Sequence, residues 1–279
     1  MVVRMSISAS SSRPFRFGLV AAQARTQDEW TSLAKRVESL GYSSLLVPDT
    51  IHTLASNVAC AVAGTATSAL HVGPYVLSAP NRSPGQVALE AASMTTLTGG
   101  RYELGIGAGR TGADVDAALF GRPYGSPRDR MDVVRATIAA VRERGPQTPI
   151  LVAGAGPRML ALAAGLADTI AFGLPPEADE EALADAVATV ERAATGRTDS
   201  PELSTNLLVV GDEPPSWTPS RLDIPELIAG GSIAVLTGSV QQMIDALTRR
   251  RDRLGISYVC TSVNYADALA PVVEQLAGR

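Results

Sequence analysis

Short apolar runs alternate with segments of helical spacing along nearly all of this 279-residue chain, and that alternation decides its fold class. Apolar runs occur near residues 15–22, 44–47, 71–78, 101–106, 149–152, 169–172, 203–210 and 256–261. Short apolar runs of this length, those ending at 106 and 152 above all, suit strands buried on both faces. Between them lie helical patterns. In 28–40, Trp30, Leu33, Ala34, Val37 and Leu40 share one face and Gly41 follows as a stop. In 84–97, Pro84 suits the first turn and Gly99-Gly100 ends the pattern. Further helices are expected at 57–68, 128–144, 157–167, 178–194, near 225–229, at 239–254 and at 266–277. Strand followed by helix, repeated, implies a parallel sheet with right-handed crossovers. Eight such units, in the roughly 250 residues typical of the fold, predict a single-domain α/β (β/α)8 TIM barrel over 15–279. A doubly wound open sheet is the competing architecture; the even spacing of the units from end to end favours the barrel.

The strand ends carry the candidate chemistry. Two of them share one grammar: RYELGIGAGR at 101–110 and PILVAGAGPR at 149–158, each an apolar run breaking into Gly-x-Gly and meeting an arginine. Gly107-Ala108-Gly109-Arg110-Thr111-Gly112 matches G-x-G-x-x-G after a strand. The next strand begins too late for a compact βαβ unit and no acidic residue clearly ends it, so a dinucleotide fingerprint fits poorly. The segment reads either as a loop needing glycines for its turns or as a wall of a site at the strand's C-terminal end. Gly154-Ala155-Gly156-Pro157-Arg158 opens directly into a helix, because Pro157 suits its first position. Free N–H groups at that helix end, with Arg158 nearby, favour a phosphate; a tight turn with a solvated arginine is the plainer reading.

Asp49, ending the second strand in Pro48-Asp49-Thr50, either points a carboxylate into the barrel mouth or caps the next segment. The run 78–84 ends the third strand in small residues and turn formers, Ser78 and Ala79 leading. Of the two histidines, His71 begins a strand on the face opposite the site and reads as structural. His52, three residues after Asp49, is either a proton donor or acceptor or a solvated loop histidine. No nucleophile elbow, Walker loop or metal-ligand cluster is present, so no metal is expected. Phosphate-binding loops with so little acid–base chemistry suit an enzyme whose cofactor carries the reaction.

Composition narrows the rest. Twenty-four Lys plus Arg against 28 Asp plus Glu leave a net charge of −4 with no basic stretch, which argues against nucleic acid. Apolar stretches are broken well before the ~18 residues of a membrane span. Cys60 and Cys260 are far apart and read as reduced, buried thiols of a cytoplasmic protein. The first 14 residues lack the apolar core of a signal peptide; their Ser-rich part reads as a disordered tail, and Met5 as a second candidate initiator.

With these segments in view, the chain resembles the luciferase-like monooxygenase superfamily, in its coenzyme F420-dependent oxidoreductase branch. The resemblance spans about 15–263. It rests on GYSSLLVPD at 41–49, APNRSPGQVALEAASMTTLTGGRYELGIGAG at 79–109, PILVAGAGPRMLALAAGLAD at 149–168 and LTGSVQQMIDALTRRRDRLGISYV at 236–259. It implies a (β/α)8 barrel holding a deazaflavin or flavin at its C-terminal face, with Asp49 near the ring and a bulge or non-proline cis peptide near Ser78-Ala79. The loops Gly107, Ala108, Gly109, Arg110 and Gly154, Ala155, Gly156, Pro157, Arg158 would meet the ribityl chain and phosphate. Several relatives carry a histidine directly after the strand-two acid as a proton acceptor; here it is Thr50. That departure disfavours alcohol oxidation and points to reduction of a C=C or C=N bond in a small molecule by reduced F420, with Asp49, Thr50 and His52 as candidate catalytic residues. FMN-dependent monooxygenation and a non-catalytic flavin-binding barrel are the alternatives. Homodimers are common in the superfamily. The lean connection at 211–238 implies a small lid and an open pocket, and the loops at 23–26, 52–56, 111–126 and 213–220 would set the substrate.

Overall fold

The computed structural model describes residues 13–212 and 223–279. Most of the expected N-terminal tail and the loop at 213–220 therefore lie outside the described residues. The strands are β1 (Arg16–Val20), β2 (Ser44–Val47), β3 (His71–Pro74), β4 (Leu77–Ser78), β5 (Leu104–Gly107), β6 (Ile150–Gly154), β7 (Thr169–Phe172), β8 (Glu202–Leu207), β9 (Val209–Val210), β10 (Val235–Leu236) and β11 (Ile256–Ser262). The helices are α1 (Gln27–Ser39), α2 (Ser56–Ala66), α3 (Pro84–Leu97), α4 (Ala113–Leu119), α5 (Pro127–Arg144), α6 (Pro157–Leu166), α7 (Glu180–Ala193), α8 (Ile224–Ala229), α9 (Val240–Leu254) and α10 (Ala266–Leu276).

Nine strands form one sheet in the order β3-β2-β1-β11-β8-β7-β6-β5-β4. Every pairing is parallel. β3 and β4 are two pieces of one barrel stave, so the sheet's two ends belong to the same stretch of chain and the barrel closes there. The Val72 N–H donates to the Arg101 carbonyl at 2.9 Å and the Glu103 N–H to the Val72 carbonyl at 3.0 Å. The closed order excludes the doubly wound open sheet. The seam is tight: a Cβ on Gly73 would lie 2.0 Å from the Glu103 carbonyl oxygen, and one on Gly105 would lie 2.1 Å from that of Pro74. Only glycine lets the two backbones meet so closely.

Several boundaries move from the sequence expectation. The fourth apolar run begins its strand at Leu104 rather than Arg101, because Arg101 instead turns its guanidinium to the carbonyls of Leu70 and Gly64. The expected third strand is interrupted at a cis Tyr75-Val76 peptide, three residues before the Ser78-Ala79 position the resemblance suggested. The polar connection after β5 contains α4, whose seven residues start from Gly112 at φ +80° without a side-chain cap and so leave little trace in the sequence. The small parallel pair β9–β10 was not anticipated either.

The helices pack their apolar stripes on the outside of the barrel. In α1, Trp30, Ala34 and Val37 are buried, and the Trp30 indole N–H donates to the Ala59 carbonyl at 2.8 Å. Burying one such large apolar side chain contributes about 1.5–3 kcal/mol. Capping boxes at Ser126–Asp129 and Ser239–Gln242 start α5 and α9.

Inside the barrel, the end opposite the candidate site is closed by charge. Arg16 lies 2.5 Å from Glu103 and 3.0 Å from Glu202, and its guanidinium sits 4.5 Å from the Tyr258 ring centroid. His71 Nδ1 is 2.8 Å from Glu103, which confirms it as a structural residue of that end. Burial works against the Glu103 charge, but His71 and Arg16 outweigh it and hold the carboxyl below its ordinary value. Glu202 goes the other way, burial pushing it up despite Arg16. Above this plug, the Ser44 and Tyr258 hydroxyls are 2.5 Å apart, and Leu46, Leu151, Ala171 and Cys260 fill the middle of the barrel.

Candidate active site

A cavity of about 530 Å³ opens at the C-terminal ends of the strands, the face on which barrels of this kind place their sites. Its wall is assembled from successive strand ends. Pro48, Asp49 and Thr50 follow β2; Tyr75, Val76, Leu77 and Ser78 span the β3–β4 break; Gly107, Ala108, Gly109 and Arg110 leave β5. Ala153, Gly154 and Ala155 end β6, Ala171 to Leu174 end β7, and Asn206, Leu208 and Ala234 complete the ring. Most of these side chains are small or apolar, which leaves a smooth surface for a flat conjugated ligand.

Asp49 points inward from β2, but it is not free. Arg82 grips it with both terminal nitrogens, at 2.5 and 2.7 Å, and the Ser78 N–H donates to Oδ2 at 3.0 Å. The side chains are only 10% and 18% exposed for Asp49 and Arg82. The carboxylate thus fastens the β4 wall to the end of β2. Of the two sequence readings, the carboxylate pointing into the barrel mouth matches its position, and the helix cap does not, since Ala55 takes the N-cap of α2; its engagement by Arg82 was not anticipated. Thr50 lines the cavity beside it, and its Oγ1 accepts the His52 backbone N–H at 3.2 Å. His52 itself does not reach the cavity. It is exposed in a separate hollow with Gln23, Arg25 and Glu29, and its carbonyl accepts from the Gln23 side chain at 3.0 Å. The backbone turns outward between Thr50 and Thr53, where Thr53 Oγ1 donates to the Thr50 carbonyl at 2.9 Å. That turn removes the imidazole from the site.

The β5 exit is held from outside. Arg130 donates to the Ala108 carbonyl at 2.9 Å and stacks over Tyr124, 4.3 Å from its centroid, while the Tyr124 hydroxyl donates to the Arg110 carbonyl at 3.1 Å. Gly109 has φ +90°, and a Cβ there would lie 2.6 Å from the Tyr124 hydroxyl. Arg110 reaches the cavity edge with its charge engaged by the buried Asp116 of α4, at 2.8 Å. At the second glycine exit, Gly154 and Ala155 line the cavity, whereas Gly156, Pro157 and Arg158 sit on the exposed rim. Gly156 is the N-cap of α6 and Pro157 its first residue, as the sequence reading required. The N-terminus of a ten-residue helix therefore opens at the rim.

Many lining positions escaped the sequence reading: Tyr75, Val76, Leu77 and Ala153 on the near staves, and every lining residue from β7 onward, Asn206 and Ala234 among them. Nothing in their neighbourhoods separates them from ordinary residues of the barrel. Arg82 was visible only as part of a turn-forming stretch. Among the described residues, no group of three or more His, Cys, Asp or Glu is arranged to hold a metal, and no helix is long and apolar enough to cross a membrane. Both cysteines are free and buried.

The fold is shared with solved structures of known chemistry. An F420-dependent secondary alcohol dehydrogenase in complex with an F420-acetone adduct superposes with a TM-score of 0.74 at 17% identity, covering 94% of this chain and 99% of that one. The coenzyme F420-dependent tetrahydromethanopterin reductase of Methanopyrus kandleri gives 0.73 at 13% identity, with 94% and 99% covered. The oxygenating constituent of 3,6-diketocamphane monooxygenase from Pseudomonas putida, in complex with FMN, gives 0.71 at 16% identity, with 94% and 95% covered. In sequence, an uncharacterized protein of Mycobacterium tuberculosis is 32% identical over 124 residues, a match spanning 36% of this chain and 42% of that relative. The chain thus aligns with less than half the length of that curated relative. The profile of the luciferase-like monooxygenases matches residues 10–217, and with the barrel and its C-terminal cavity in place, this chain belongs to the luciferase-like monooxygenase family.

Proposed function

We propose that this protein is an oxidoreductase that uses reduced coenzyme F420 to deliver hydride to a C=C or C=N bond of a small molecule or natural-product intermediate. The carrying observation is the state of the strand-two acid. Asp49 is tied to Arg82 and to the Ser78 N–H, and the residue after it is Thr50. Among the described residues the cavity lining contains no imidazole. Oxidising an alcohol needs a base to take its proton, and the one carboxylate among the described lining residues, Asp49, is held by Arg82; accepting hydride into a double bond needs chiefly an oriented donor.

The wall fits such a cofactor. Val76 and Ser78 on one side, Ala108 and Gly109 on another and Gly154 and Ala155 at the rim would hold the ring and ribityl chain without side-chain obstruction. The N–H groups opening α6, with Arg158 in its first turn, would take the phosphate. Reduced F420, when bound, supplies the hydride. The chain orients and supplies a proton: Thr50 Oγ1 already accepts one hydrogen bond, from His52 N–H, so its own hydrogen is free to donate into the cavity. Water entering at the mouth would replace that proton.

FMN-dependent monooxygenation is the second reading, favoured by the FMN-bound relative on the same barrel and by a ribityl phosphate common to both cofactors. The experiment is turnover of reduced F420, and separately of reduced FMN with oxygen, against a panel of electron-poor alkenes and cyclic imines. Substrate-dependent oxidation of reduced F420 under anaerobic conditions is expected. Oxygen-dependent product formation with FMN alone would replace this reading with the second.

A further inference from the structure

Tyr75 occupies a place that neither the cofactor rim nor the charged plug explains. It lies at the cis Tyr75-Val76 peptide and lines the cavity, yet it also packs against the buried cluster of Leu46, Leu151, Ala171, Tyr258 and Cys260 in the middle of the barrel. Cys260 of β11 and Ser204 of β8, whose Sγ and hydroxyl lie 3.9 Å apart, are fully buried, 0% exposed, and do not line the cavity. Around Cys260 lie Leu46, Leu151, Ala171 and Tyr258, with Gly18 beneath, where a Cβ would meet Ser44, Tyr258 and Cys260 within 2.7–3.2 Å. Tyr75, Val76, Ala153 and Ala171 both line the cavity and belong to or pack on this cluster, and Tyr75 is the largest of them.

We infer that Tyr75 is the floor of the ligand cavity and determines its shape specificity: it stops ligands at the barrel mouth, so that flat molecules lying across the strand ends are accepted and molecules threading along the barrel axis are refused. The inference rests on this cavity being the ligand site. The phenol ring does the blocking. The ring packs on the Cys260 cluster from the β3–β4 stave, and Val76 beside it packs there too. Burial pushes the Tyr75 hydroxyl well above its ordinary value, in keeping with a neutral packing group rather than an acid.

Cys260 reports on the floor directly. In the full chain carrying Cys60→Ala it is the single thiol, since the sequence has two cysteines. Labelling by methyl methanethiosulfonate in mildly alkaline buffer, read as adduct mass on folded protein, should be slow in this parent. Burial holds the Cys260 thiol up at about 12. Tyr75→Ala opens a path from the cavity and should raise the labelling rate about tenfold or more, since thiol reactivity follows access as well as ionisation. Tyr75→Phe keeps the ring and should stay near the parent rate. Labelling of the Ala variant no faster than the parent overturns the inference, as does equal labelling of the Phe and Ala variants, which would signal general loosening. If Tyr75→Ala does not fold, Tyr75→Leu carries the same comparison. Adding FMN or F420 separates this inference from the functional reading: fast labelling of the Ala variant with protection by F420 supports both. Fast labelling that neither cofactor slows keeps the floor and counts against the proposed function.

Discussion

Arg82 and Asp49 form a two-point ion pair, Nη1 to Oδ2 at 2.5 Å and Nη2 to Oδ1 at 2.7 Å, and the same Oδ2 accepts the Ser78 N–H. The pair joins the end of β2 to the turn after β4, so it shapes the cavity wall rather than presenting a reactive acid. Asp49→Asn should destabilise the fold by about 2–4 kcal/mol, because it leaves a mostly buried guanidinium without its counter-charge. Arg82→Lys should fail to restore the wall, since an ammonium cannot make the paired contact. Urea unfolding with cofactor titration checks both: stability and cofactor affinity should fall together.

His52 makes a contrasting case. Its ring is exposed outside the cavity, and only its backbone N–H touches the site, through Thr50. His52→Ala should therefore leave the turnover rate within about twofold and remove no ionisation from its pH profile. Thr50→Val, which deletes the hydroxyl while keeping the shape, should lower kcat by about tenfold or more with little change in cofactor affinity. Steady-state kinetics of the two variants side by side distinguishes a spectator from a donor.

Glu38 predicts the acid limb of stability. Its Oε1 accepts the backbone N–H groups of Ser68, Ala69 and Leu70 at 2.9, 2.6 and 3.0 Å, bridging the end of α1 to the start of β3. The Ala69 bond is the largest cause holding its pKa below the ordinary carboxyl value. A carboxyl depressed in the folded state stabilises above its unfolded value, and that stability is lost as pH falls through the folded one. Glu38→Gln should cost about 1 kcal/mol at neutral pH, a modest figure because the site is near solvent. In denaturant titrations, the gap between the two proteins should close in acid, below the ordinary carboxyl range.

At the barrel seam, Gly73→Ala should prevent folding or lower stability by more than about 3 kcal/mol. The added Cβ would sit 2.0 Å from the Glu103 carbonyl oxygen, which is backbone and cannot swing away. Gly156→Ala meets nothing within 4 Å and serves as the tolerated control. Thermal unfolding of the two variants gives the comparison.

The barrel was legible because its evidence is periodic. Apolar runs such as 169–172 and helices such as α3 announce themselves by spacing and by Pro and Gly at their ends, and both sets of bounds hold in the structure. The positions of Asp49, Thr50 and the two glycine exits at strand ends followed from the same register. What could not be read were relationships across the barrel. Nothing near Arg82 in sequence marks it as the partner of an aspartate 33 residues earlier. Nothing near Tyr75 points to its packing on Cys260. His52, only three residues after Asp49, could be read as a proton carrier or as a solvated loop histidine, and a single turn closed by Thr53 sends it outward, as the second reading has it. Side-chain direction in a loop depends on local turn geometry, which spacing does not encode. The glycine-rich stretch after β5 hid α4 for a similar reason: seven residues, opened by a left-handed glycine, carry too little periodicity.

The central claim is that the cavity at the strand ends binds F420 as a redox partner. Its most direct test is a fluorescence titration of the purified chain with oxidised F420, repeated on Ala153→Trp, which fills the cavity from the β6 wall. Saturable binding of one F420 per chain by the wild type, lost in the Trp variant while its circular dichroism is unchanged, is the predicted result. No binding of F420 by the wild type, or equal binding by both proteins, would contradict it.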